Sequence, residues 1–158
     1  MSVQAIPNGY HTLTPFMTVH DAARAIEFYK KAFGATERGV MKGQDGKVMH
    51  AELMIGDSIV MLADEFPEFG ALSPQSTGGA GMGLHIYVED VDTAFARAVK
   101  AGANVEMPVS DMFWGDRYGK LQDPFGHKWS IATHKADLSA DEMKRGMDEA
   151  MAKMPKSA

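Results

Sequence analysis

"VHDAARAIEFYKKAFGA", residues 19–35, and "VEDVDTAFARAVKAGA", residues 88–103, are two versions of one segment. At an offset of 69, Val19 aligns with Val88, Asp21 with Asp90, Ala25 with Ala94, and Lys31–Ala32 with Lys100–Ala101. One deletion then brings Gly34–Ala35 onto Gly102–Ala103. Each copy reads as an extended segment, an Asp suited to capping a helix N-terminus, an amphipathic helix, and a Gly able to end it in the left-handed region. Helical spacing selects Ala22, Ala25, Ile26, Tyr29 and Phe33 as the buried stripe of the first helix. In the second it selects Val91, Ala94, Phe95, Ala98 and Val99.

Beyond each helix the chain alternates like strand. Residues 35–42 and 48–55 flank GQDGK, in which Asp45–Gly46 is a hairpin signal, and 48–55 and 58–65 flank Gly56–Asp57, a second tight turn. After the second helix, residues 103–110, 117–122 and 127–135 read as strands, with DPFG at 123–126 as a turn. The pattern is βαβββ, twice. The fold class expected is α+β: two βαβββ modules forming a cupped, mostly antiparallel sheet with helices on the convex face. Module one spans 11–65 and module two 82–135 of a single domain, 1–136. The Gly/Pro/Ser-rich crossover of 66–81 is long enough to suggest a functional loop. Residues 137–158 form an amphipathic helix and tail that opens on a Ser139–Glu142 capping box. Met143, Met147, Met151 and Met154 make an apolar stripe there, expected to dock on this chain or a partner subunit.

Composition removes several function classes. The 158 residues are 45% hydrophobic and 23% charged, as in ordinary globular domains. No cysteine is present, which excludes disulfides, thiolate metal sites and cysteine nucleophiles. The net charge of −5 comes without a basic block, so no nucleic-acid partner is expected. No apolar run suits a membrane span and the N-terminus lacks a signal-peptide pattern, so the expected location is cytoplasmic.

Strand alternation sorts the candidate residues by face. The Gly56–Asp57 turn pairs Glu52 with Met61 and His50 with Ala63, and opposed residues point to one side. Met49, Ala51, Leu53, Ile55, Val60 and Leu62 then face the helices. Thr14, His50, Glu52, Met61, His85, Tyr87 and Ser130 collect on the other side, a lining of the kind that holds small molecules. In "DMFWGDRYGKLQDPFGHKWSI", 111–131, Phe113 and Trp114 precede a turn, placing Trp114 where it could stack on a flat ligand. Arg117 could clamp a carboxylate or phosphate, or pair with Asp116. His127 and His134, near strand ends, read as surface residues, and Trp129 as core.

The helix run DAARAIEFYKKAFGA, the segments DGKVMHAEL and IGDSIVMLADE, the strand LHIYVEDVD, and FWGDRYG followed by DPFGH resemble the vicinal oxygen chelate superfamily, and within it the PhnB-like branch. That superfamily includes glyoxalase I, extradiol dioxygenases and bleomycin-resistance proteins. The resemblance covers residues 11–135. It implies that Trp114 lines the cup and that the protein is a homodimer. In many such dimers each cup forms between module one of one subunit and module two of the other. Metal-using members place a His, Gln or Glu ligand on each of four strands, at positions that correspond here to Thr14, Met61, Gly83 and Ser130. Those four are poor ligands for a divalent ion.

The expected function is therefore non-metal binding of an aromatic or anionic small molecule, with no cofactor. Its ligand-binding residues would be Thr14, Met61, Tyr87, Phe113, Trp114, Arg117 and Ser130. The alternative is a lyase, isomerase or dioxygenase-type enzyme. It would use His50, Glu52 and His85 as catalytic acid–base groups, with or without a displaced divalent metal. A dimeric scaffold with a vestigial cup is the third reading.

Overall fold

The computed structural model describes residues 3–155. The ends of the expected domain and tail, residues 1–2 and 156–158, lie outside the described residues. Its elements run β1 (Phe16–Val19), α1 (Ala22–Phe33), β2 (Thr36–Lys42), β3 (Val48–Ile55), β4 (Ser58–Asp64), a short helix α2 (Pro74–Thr77), β5 (Gly83–Tyr87), α3 (Val91–Ala101), β6 (Asn104–Asp111), β7 (Asp116–Gln122), β8 (Lys128–His134) and α4 (Ala140–Ala152). The βαβββ repeat is present twice, and each copy forms its own four-stranded mixed sheet. The orders are β1-β4-β3-β2 and β5-β8-β7-β6. In each, the first strand pairs parallel with the last and the remaining pairs are antiparallel.

The helix signals act as their chemistry demands. Asp21 accepts from the Arg24 N–H and Asp90 from the Thr93 N–H, each at 3.1 Å, replacing a hydrogen bond that a helix start lacks. Gly34 closes α1 at φ 66°, a left-handed turn that a side chain would strain. The capped helices bury Ala22, Ala25, Ile26, Phe28, Tyr29 and Ala32 from α1, and Val91, Phe95 and Ala98 from α3. Phe33 and Ala94 pack against this core only partly buried, and Val99 is exposed. Phe28, outside the expected stripe, is buried because it meets Phe125 of module two.

α1 packs on all four strands of the first sheet and α3 on β6, β7 and β8 of the second, so the helices lie on one side of each sheet. They also pack on one another. Arg97 of α3 donates to the Lys31 carbonyl (2.7 Å) and the Lys30 carbonyl (3.4 Å), satisfying carbonyls at the end of α1. Asp64, at the end of β4, is buried and accepts from the amides of Ala22 and Val48 at 2.7 Å each, fixing where α1 enters the module.

One residue departs from the expected alternation. Met49 faces solvent, and Val48 takes the buried place beside α1. The β2–β3 ladder skips from Met41↔His50 to Lys42↔Val48, a bulge that leaves Met49 unpaired and turns the strand start over.

The crossover is anchored at its middle. Ser73 and Pro74 are buried, Glu65 accepts from the Ser73 amide (2.8 Å), and Gln75 donates to the Pro124 carbonyl (3.2 Å). The segment is thus docked on the DPFG turn. α4 begins with the expected capping box, Ser139 and Glu142 each bonding the other's backbone N–H. Yet α4 contains no buried residue. Its methionines stay exposed, so the stripe is not covered by the described residues of its own chain. Gly146 lets the helix approach Phe113, where an added Cβ would lie 2.9 Å from the Phe113 Cβ.

Candidate functional site

The residues expected to share one cup gather mainly in two groups, one on each module, and Thr14, His85 and Tyr87 also meet at a cavity between the modules. On module one, Thr14, Glu52 and Met61 line a cavity of about 650 Å³ beneath the N-terminal segment, with Ala5, Tyr10 and His11 as its outer wall. His50 Nε2 lies 3.3 Å from Glu52 Oε1, and the His50 ring packs on Phe16 at 5.7 Å. Tyr10 covers Glu52. Its hydroxyl, and then His50, hold the carboxyl below the usual Glu range, while Glu52 in turn raises the Tyr10 hydroxyl. Arg38 sits over the Tyr10 ring at 5.4 Å. Tyr10, His11 and Arg38 carry no spacing signal and are not expected in a site from sequence.

On module two the helix-free face is built from β5, β8 and β7. His85 is paired with Ser130, Tyr87 and Tyr118 with Ala132, and Lys120 with Ser130. Paired residues share a face, so these side chains stand together. His85 Nδ1 and Ser130 Oγ are 2.7 Å apart. The His85 ring meets Tyr87 edge-on at 4.5 Å and stacks with Tyr118 at 5.8 Å. Tyr118 meets Trp114 at 5.3 Å, and Trp114 meets Phe113 at 5.0 Å. The outcome is a continuous row of rings. Ala132 is fully buried beneath it, while Tyr87 remains 63% exposed.

Asp116 anchors this row. It is 5% exposed and accepts from the Tyr87 hydroxyl (3.2 Å), from Trp114 Nε1 (3.1 Å) and from His134 Nδ1 (2.7 Å). Burial alone would raise its carboxyl, but these three donors hold it below the usual Asp range. His134 Nε2 also lies 2.9 Å from Asp137. Two carboxylates can only accept, so both ring nitrogens carry protons, and Asp137 and Asp116 together raise the imidazole above its ordinary value. His85 goes the other way, since burial lowers it more than Asp116 raises it, and the ring stays neutral near pH 7. Sequence reasoning takes Asp116 as a turn residue and His134 as a plain surface residue. It misses Tyr118 and Lys120, although extending strand alternation back to Asp116 would have found both.

Two further expected placements do not hold. Arg117 alternates to the helix side of β7, where Nε and Nη2 donate to Asp92 (2.7 and 2.8 Å) and Nη1 to Asp111 (3.3 Å). It neither enters the cup nor pairs with Asp116, and the two carboxylates raise its already high pKa. His127 is not a simple surface residue either. Its Nε2 donates to the Thr18 carbonyl at 2.9 Å, tying the start of β8 to β1.

His85, on module two, makes its contacts with Ser130, Tyr87 and Tyr118, while His50 and Glu52 make theirs within module one. Among the described residues no three His, Asp or Glu side chains gather as a metal-binding group. At the four positions that the resemblance assigns to metal ligands, Thr14 and Ser130 offer hydroxyls, the latter already bonded to His85, Met61 a thioether and Gly83 no side chain. That donor set does not fit a divalent ion.

A further cavity of about 800 Å³ opens between the modules. Thr14, Phe33, Ile59, Leu84, Ile86 and Trp129 are among its walls, and His85 and Tyr87 also line it. The face of module two is thus an open half-cup with a deeper apolar space beside it.

The family model described as "Glyoxalase/Bleomycin resistance protein/Dioxygenase superfamily" matches residues 10–131, both modules together. The chain belongs to that superfamily. The glyoxalase-type chain is 45% identical over 138 residues to an uncharacterized protein of Mycobacterium tuberculosis, covering 85% of this chain and 81% of that one. Among solved structures it is similar to a gene product of Arabidopsis thaliana, with TM-score 0.63 and 29% identity over 78% of this chain and 98% of that one. It is also similar to a protein of Bacillus cereus described as a putative 3-demethylubiquinone-9 3-methyltransferase, PhnB protein. There the TM-score is 0.61 at 20% identity, over 78% and 99% of the two chains, a likeness of fold alone. No helix among the described residues is long and apolar enough to cross a membrane.

Proposed function

We propose that this glyoxalase-type protein is a non-metal small-molecule-binding protein that holds an aromatic or anionic ligand on the ring-lined face of module two. The observation that carries this reading is the row His85, Tyr87, Tyr118 and Trp114, left open on a strand surface and braced from below by Asp116. Aromatic rings held rigid by a buried carboxylate present a preformed stacking surface, which saves the ligand the entropy of ordering them. One open face cannot enclose the roughly 70–90% of a ligand that specific sites commonly bury, so the proposal includes a homodimer in which a second copy closes the half-cup. Titration followed by tryptophan fluorescence tests the reading. Trp129 is buried, so saturable quenching should disappear in Trp114→Phe. Ligands that bind without changing Trp114 emission would place the site elsewhere.

The pair His50–Glu52 favours a second reading, an acid–base site under the N-terminal segment. The carboxylate orients the imidazole, and His50 would then be the acid–base group. That reading requires a turnover lost in His50→Ala and retained in Trp114→Phe.

A further inference from the structure

Among the described residues, the ring-lined face holds one cation without a partner. Lys120 is exposed and stands opposite Ser130 in the β7–β8 ladder, with Tyr118 two residues before it on the same face. Among the described residues it makes no ion pair and no hydrogen bond. The other cations near this face are engaged. Lys128 is paired with Glu106, and Arg117 is held on the far side of the strand by Asp92 and Asp111. Of the carboxylates near the face, Glu106 is taken by Lys128, and Asp116 already accepts three bonds with His134 as its counter-charge.

Beside Lys120 lies the His85–Ser130 contact. His85 is neutral near pH 7, so its ring carries one N–H. If the Ser130 hydroxyl donates to Nδ1, the proton sits on Nε2 and that N–H is free. If Nδ1–H donates to Ser130, the hydroxyl proton is free. Either tautomer leaves one donor available to a ligand. Directly opposed residues have Cβ atoms roughly 5 Å apart, so the flexible Lys120 stem can bring its ammonium to an atom held over Ser130. An ammonium, one neutral donor and an adjoining stack of rings form a charged end and a flat wall.

Resting on the ligand site proposed above, we propose that Lys120, with Ser130 and His85, forms the anion end of that site, and that its ligand is a planar aromatic carboxylate. The carboxylate would sit between the Lys120 ammonium and the free donor of the His85–Ser130 pair, and the ring would extend over Tyr118 toward Trp114. A planar cation is disfavoured because the carboxylates near the face are already engaged, Asp116 by three donors and Glu106 by Lys128.

The test uses three probes of one shape: 2-naphthoate, 2-naphthamide and 2-naphthylmethylammonium. Each is titrated into the full chain while the two tryptophan indole N–H cross-peaks are followed by NMR, with Trp114 assigned from Trp114→Phe. The expected result is a saturable shift of the Trp114 peak with 2-naphthoate, at least about tenfold tighter than with the amide, as one charge-assisted hydrogen bond supplies. Lys120→Met should abolish that preference and Lys120→Arg should keep it. Equal affinity for acid and amide, tighter binding of the ammonium probe, or an unchanged preference in Lys120→Met would overturn the anion assignment while leaving the ring-lined site in place. If none of the probes moves the Trp114 peak, the assignment and the site reading fail together.

Discussion

The Tyr29 hydroxyl, on α1 of module one, donates a 2.6 Å hydrogen bond to the Asp123 carboxylate, 94 residues away in the DPFG turn of module two. The same carboxylate accepts from Trp129 Nε1 at 2.8 Å and from the amides of Phe125 and His127 at 2.9 Å each. Asp123 is 2% exposed, and around it Tyr29, Phe33, Phe125 and Trp129 pack ring against ring. One carboxylate therefore shapes a turn, orients a core indole and locks the first module to the second. Burial and the Asp123 charge together push the Tyr29 hydroxyl well above its ordinary pKa, so it remains a donor at any working pH.

Asp123→Ala should be among the most damaging single changes. It strands two side-chain donors and two backbone amides away from water, at about 1–3 kcal/mol for each group left unsatisfied. Urea denaturation should show a loss of at least about 3 kcal/mol. Tyr29→Phe, which removes a single donor, should cost no more than about 2 kcal/mol. A loss below about 1 kcal/mol for Asp123→Ala would show that the carboxylate does not join the modules.

Stability should depend on pH through His134. Its folded pKa is raised, first by Asp137 and then by Asp116. The imidazolium's contribution is therefore full below the ordinary value of about 6.5 and is lost as pH rises through the higher folded value. Asp116 is depressed, so its contribution disappears only in acid, as pH falls through its folded value. Urea midpoints of wild type and His134→Gln between about pH 5.5 and 9 should differ most at the acid end and converge toward alkaline pH. NMR should find His134 titrating above the ordinary range and His85 below it. The reverse order would remove the two-carboxylate account of His134.

Arg117→Ala should leave ligand affinity on the module-two face unchanged within about twofold, because its guanidinium is bonded on the helix side. Calorimetric titration of wild type and variant checks this. A loss of about tenfold would mean that Arg117 reaches the ligand after all.

Gly115→Ala should disturb the aromatic row without touching a ring. Gly115 has φ 97°, and an added Cβ would fall 2.2 Å from the Ala136 carbonyl oxygen. That backbone lies where the chain leaves β8 for α4, and the Gly115 carbonyl accepts from the amides of Lys135 and Ala136. The left-handed conformation alone costs a side chain about 1–2 kcal/mol, and the clash adds to it. A changed Trp114 emission spectrum together with a lower melting temperature is the expected signature.

Much of the architecture was legible because it is encoded locally. Asp21 and Gly34, like Asp90 and Gly102, bracket helices whose apolar spacing names the buried face, and Gly56–Asp57 sets the register that pairs Glu52 with Met61. Each of these signals acts over a few residues, through a cap, a turn or a period. The repeat, most of the strand faces and Trp129 as a core residue came from them.

Local pattern could not decide which side chains from distant segments would meet. Met49 lost its place to Val48 through a bulge that depends on pairing with β2. Arg117 chose Asp92, 25 residues away on α3, over its neighbour Asp116, because strand geometry sends adjacent side chains to opposite faces. Asp116 then became the anchor of Tyr87, Trp114 and His134, and His85 was brought to Ser130 and Tyr118 rather than to His50 and Glu52. The repeated module and its faces are written locally in the chain, since periodicity and capping act within a few residues. Which side chains of those faces meet is set by the packed fold, since hydrogen bonds and ring contacts depend on distances that close when the whole chain packs.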